Sequence, residues 1–215
     1  MKTAFPGTNL AVDWSPLGDG VVPEGLFPAM VSKVKAVVAQ DAAEGQFHVL
    51  GGFLRHQGES DAGSSAYAKA HEGDLVTFID ALRTDLPVSG TAPVVLVKED
   101  LTAYDRHLLS AGTITAAANA NLTTWNAEVR RVDDWAATNM RDAFEVDTAG
   151  VARVARFVHL PNVSELTLGS AMASVSDRGC PDRAICPGQA FDSGSGHRPG
   201  NVPPPPALPG QVTSR

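Results

Sequence analysis

An α/β domain built on a mostly parallel, doubly wound sheet is the fold class this sequence predicts, on two observations. Short apolar runs alternate with stretches whose apolar residues recur every three or four positions. The densest polar string, His56-Gln57-Gly58-Glu59-Ser60-Asp61-Ala62, follows directly on one of those runs. That is the carboxyl edge of a buried strand, where open α/β sheets bind ligands. The chain has 215 residues, 43% of them apolar, enough for one domain with its own core.

Over 26–43, Leu26, Met30, Val34, Val37 and Val38 keep helical spacing, which predicts an amphipathic helix with one core face. Gly45 ends it, and 47–54 reads as a short buried strand in which Gly51 and Gly52 either interrupt its regularity or mark a close backbone approach. Beyond the polar string, Ser64 and Ser65 are N-cap residues for a helix carrying Tyr67, Leu75, Phe78, Ile79 and Leu82. The β-branched run Pro93-Val94-Val95-Leu96-Val97 has the profile of a parallel strand buried on both faces. The Ala-rich stretch 113–132 predicts a helix with Ile114, Leu122, Trp125 and Val129 inward, and a last short helix is expected over 148–158.

Residues 161–215 differ in composition, and 187–215 are rich in Gly, Pro and Ser, with four consecutive prolines at 203–206. Such a tail buries too little apolar surface to offset its ordering entropy, so the predicted domain spans 1–160 and the rest is expected to be disordered.

A net charge of −7 disfavours nucleic acid and anionic membrane as partners. No window approaches the apolar length of a bilayer span, and the opening residues lack the long apolar run of a secretory signal, so no address is legible. Cys180 and Cys186 leave a free thiol pair and a local disulfide equally open, and lack the further ligands a zinc site needs. Glu59, Asp61, Asp142 and Glu145 do not show the convergence a carboxylate metal site requires. No cofactor and no metal are expected.

Three segments, in order, carry a resemblance. Lys2-Thr3-Ala4-Phe5-Pro6-Gly7-Thr8 leads to Trp14; His56-Gln57-Gly58-Glu59-Ser60-Asp61-Ala62 follows; Asp142-Ala143-Phe144-Glu145-Val146-Asp147-Thr148-Ala149-Gly150 comes third. Together they resemble the SGNH/GDSL-type carbohydrate acetylesterases, the group that includes sialate O-acetylesterases and acetylxylan esterases. The resemblance implies a three-layer α/β/α fold and removal of acetyl groups from sugars, with acetylated carbohydrate as the substrate. It assigns the oxyanion hole to Gly7 and Gln57, with His56, Gly58 and Glu59 as motif neighbours. It puts Asp142 at the position of the triad aspartate.

The chain departs from the family pattern at three points, the first being Pro6 in place of the leading glycine of the family's Gly-Gly-Thr block. Glu145 stands where the family has its catalytic histidine, and a carboxylate is a weak base at neutral pH. The family's nucleophilic serine lies in a Gly-Gln-Ser-Asn segment on a first strand, and no such string occurs here. Ser60 does not match the attacking group. The expectation is an esterase domain lacking its first strand and catalytically impaired. The alternatives are a carbohydrate-binding remnant around Trp14, His56, Gln57 and Glu59, or one piece of a split esterase.

Overall fold

In a computed structural model the described residues are 7–17, 25–46, 50–86, 92–149, 151 and 162–178. They form helix α1 (Leu26–Ala43), strand β1 (Phe53–Arg55), helix α2 (Ser65–Asp85), strand β2 (Val94–Lys98), helix α3 (Thr102–Ser110), helix α4 (Ala116–Asn139), strand β3 (Ala143–Asp147) and helix α5 (Asn162–Arg178). The strands lie in the order β1-β2-β3, all parallel, with Phe53 opposite Val94 and Val94 opposite Ala143. Parallel strands need crossover helices, and here α2 joins β1 to β2 while α3 and α4 join β2 to β3.

Side-chain alternation along β2 sorts the core into two layers. Val94 and Leu96 pack with Phe27, Met30, Leu75, Phe78, Ile79 and Val132 on one face. Val95 and Val97 pack with Leu168 and Met172 of α5 on the other. All five residues of β2 are buried, as its unbroken apolar run implies. The result is the expected α/β/α domain of SGNH type. No helix among the described residues is long and apolar enough to cross a membrane.

Helix starts follow local chemistry. The Ser64 hydroxyl accepts the Ala66 N–H at 3.3 Å, and the Thr115 hydroxyl accepts the Ala118 N–H at 3.1 Å. Helix α1 presents Phe27, Met30 and Val31 to the core with Val34 beside them, whereas Val37 is 43% exposed. Its inward stripe is thus rotated from the one the spacing suggested. Helix α4 runs to Asn139, well past the predicted end at 132, because Val132 and Ala136 continue its buried face.

Three expectations need correction. The strand drawn over 47–54 is regular only over Phe53–Arg55, with Leu50 in an isolated bridge, while 47–49 lie outside the described residues. No helix opens at 148: residues 143–147 form β3, and Thr148, Ala149 and Val151 are not helical. The remainder of the helix expected over 148–158 lies outside the described residues. Residues 162–178, placed by composition in the tail, form α5, held by burial of Leu168 and Met172. Cys180, Cys186 and the stretch 187–215 also lie outside the described residues.

Candidate functional site

The carboxyl ends of β1 and β2 open onto the turn that holds His56 to Asp61. Gly58 makes this turn feasible: its φ is 143°, and an added Cβ would stand 3.3 Å from Val129 Cγ1. A single turn of 3-10 helix (Asp61–Gly63) then leads into α2.

Two hydrogen-bonded clips bring residues 7–10 against this turn. Gln57 Nε2 donates to the Thr8 carbonyl at 2.7 Å and lies 3.2 Å from Thr8 Oγ1, which also accepts Trp14 Nε1–H at 3.0 Å. Asp61 Oδ1 accepts the Leu10 N–H at 2.9 Å. The two oxyanion-side elements named from the sequence, Gly7 and Gln57, are therefore joined through Thr8. An amide offers donors without charge, which suits a developing oxyanion. With both contacts directed at Thr8, one Gln57 N–H must leave Thr8 to serve that purpose.

Beneath the turn lies a set of buried charges that sequence reasoning missed. Arg55, Asp61, His71 and Asp133 are each no more than 3% exposed. The Arg55 guanidinium stands 3.9 Å from Asp61 Oδ2 and 3.7 Å from Asp133 Oδ1, and His71 Nδ1 stands 3.8 Å from Asp61 Oδ1. The two Arg55 contacts are ion pairs rather than close hydrogen bonds. Desolvation pushes the Asp133 carboxyl up to about 6, against the pull of Arg55 and His71. Asp61, read in the motif as a polar turn residue, is the pivot between this layer and the Leu10 main chain.

His56 and Glu99 meet above it: His56 Nε2 contacts Glu99 Oε1 directly. The Glu99 residue is 1% exposed, while the His56 side chain is 31% exposed. Asn126 of α4 fixes this part of the chain, donating from Nδ2 to the Glu99 carbonyl at 3.1 Å. Neither Glu99 nor Asn126 carries a motif; the one available signal was the position of Glu99 just beyond a strand fully buried on both faces.

The structure does not bring Asp142 or Glu145 to this place. Asp142 precedes β3 at the amino end of the sheet, where its carbonyl accepts the Val94 N–H at 2.9 Å and its carboxylate lies 3.1 Å from Arg141 Nε. In register it lies five residues behind Gln57, about 16 Å along the strands. It therefore stands well apart from Gln57. Glu145 sits in mid-strand opposite Leu96, under α4, with its carboxylate 3.2 Å from Lys98 Nζ. Lys98 also holds Asp134 at 2.5 Å and Asp147 at 3.0 Å. Burial, then a hydrogen bond with Asp134, raises the Glu145 carboxyl above its ordinary value, against the pull of Lys98. Glu145 thus belongs to a structural charge cluster. His48 and His159 lie outside the described residues.

A separate cavity of about 260 Å³ opens at the amino end of the sheet among Met30, Val34, Leu50, Phe53, Leu82 and Pro93. It is apolar and lies away from the polar turn.

The model of one protein family, carbohydrate esterases described as sialic acid-specific acetylesterases, matches residues 1–177. No curated protein matches the chain. The matched span includes α5, in keeping with its place in the core.

Proposed function

We propose that this chain, which belongs to the sialic acid-specific acetylesterase family of carbohydrate esterases, takes acetylated sugars at the carboxyl end of its sheet and, unaided, hydrolyses them only slowly. The observation that carries this reading is the separation of the family-type site into two parts. Gln57 and the Gly7–Thr8 segment stand together, whereas Asp142 and Glu145 stand elsewhere in other roles. In the hydrolysis, water adds to the acetyl carbonyl, and the sugar hydroxyl and acetate leave. Where the serine and its base are lost, oxyanion stabilisation and binding alone still give about 10³–10⁴-fold over water in an assembled site.

The test is turnover of p-nitrophenyl acetate by the purified chain in excess chelator, beside a Gln57→Ala variant. That residual rate presumes an assembled site, whereas here the Gln57 amide is directed at Thr8 and the chain has no Gly-Gln-Ser-Asn serine to stand by it, so both are expected within about threefold of the buffer rate. Rapid turnover that disappears in Gln57→Ala would overturn the reading.

A second reading, one piece of a split esterase, is favoured by one observation. Leu54, in the edge strand β1, is 55% exposed, and among the described residues β1 pairs with β2 alone. An open strand edge is a template for another chain. Under this reading, adding a separately expressed segment that contains Gly-Gln-Ser-Asn raises turnover at least tenfold. No rise despite measurable association would count against it.

A further inference from the structure

We propose that the chain binds one divalent cation of the zinc or manganese class through His56, Glu59 and Glu99, going beyond the esterase reading. One ligand atom from each side chain lies within 4.8 Å of the other two. Metal–ligand bonds of about 2.0–2.2 Å put the donors of a tetrahedral site roughly 3.3–3.6 Å apart. Side-chain shifts of about an ångström therefore bring all three onto one ion, which would part the His56 and Glu99 atoms now in contact.

The surroundings supply what a cation site needs besides donors. Glu99 is almost fully buried, with its carboxylate aimed at the imidazole, so a positive charge there meets an anion that water does not screen. Its main chain is fixed by Asn126, and the turn bearing His56 and Glu59 is fixed by Gly58 and the Asp61 clip. His56 is partly exposed, which gives the ion an entry path. The site also lies just beyond the carboxyl ends of the adjacent parallel strands β1 and β2, the edge at which open α/β sheets take ligands.

The donor chemistry selects the ion. One imidazole nitrogen with two carboxylate oxygens suits Zn²⁺ or Mn²⁺, whereas Ca²⁺ takes six to eight oxygens. Three protein ligands leave a position for water or for a substrate oxygen. Only this last consequence rests on the esterase reading: a carbonyl held there would be polarised beside the Gln57 amide.

Calorimetric titration of the chelator-stripped full chain with MnCl2 and with ZnCl2 tests the proposal. One equivalent is expected to bind, with affinity at least tenfold weaker in Glu99→Gln and in Glu59→Gln, on the scale of lost metal ligands. Circular dichroism checks that each variant is folded. Should Glu99→Gln not fold, His56→Ala, altered at a solvent-facing side chain, carries the same comparison. No saturable heat at about millimolar metal, or equal affinity in all variants (as binding at the cysteines would give), overturns the site. This readout does not depend on hydrolysis, so it stands or falls apart from the esterase reading.

Discussion

Replacing Arg55 by methionine is expected to cost the fold about 3–5 kcal/mol at pH 7, because it removes the guanidinium that both Asp61 and Asp133 face in the interior. The size follows from burial: both carboxylates are 0% exposed, so water cannot stand in for the lost guanidinium. The deficit should depend on pH in a definite direction. A carboxyl held above its ordinary value of 3.8 in the folded state adds stability that is complete below that value. That stability is lost as the pH rises through the folded value, here about 6 with Arg55 in place. Without Arg55, desolvation of Asp133 is opposed less, so its carboxyl rises further. The variant therefore recovers part of its loss between pH 7 and pH 5 as Asp133 takes up a proton. Urea unfolding at the two pH values measures this. An equal deficit at both would mean that charge is not what Arg55 compensates.

Phe78→Ala is expected to cost about 3–5 kcal/mol as well, through a cavity rather than a charge. Phe78 is 2% exposed, and its ring meets those of Trp14, Phe27 and Phe53 edge-on at centroid distances of 6.4, 5.5 and 5.6 Å. It touches the 7–17 segment, α1 and β1 from its place on α2. The removed ring leaves a void bounded by three separate parts of the chain, which cannot all close in on it. Phe78→Leu, which keeps most of the volume, should cost about 1–2 kcal/mol. The midpoint of urea denaturation checks both, and a loss below about 1 kcal/mol in Phe78→Ala would mean that the cluster repacks freely.

Elements with a strong local signature were legible in the sequence. Helix α2 declared itself through Ser64 and the spacing of Leu75, Phe78, Ile79 and Leu82, and β2 through its uninterrupted apolar run. Strand β3 was not legible, because Glu145 and Asp147 break its apolar pattern. Their compensation comes from Lys98 and Arg130, on other elements. The same holds for the site. Gln57 could be named from its motif, and Gly58 has a local reason in its backbone angle. Arg55, His71 and Asp133 carry no motif, and only the folded chain reveals that they share one dry compartment. Glu99 escaped notice because its partner His56 lies 43 positions earlier. The motif that named Asp142 and Glu145 gave no hint that Glu145 lies within a strand and contacts Lys98.

Helix α5 covers Val95 and Val97 of β2 and the neighbouring side chains of β3, yet it is the last described element to be synthesised. Until the ribosome has released residues 162–178, Val95, Val97, Phe144 and Val146 form a sticky plane open to neighbouring nascent chains. The interval between completing β3 and docking that helix is therefore when this polypeptide is most exposed to misassembly in the cell.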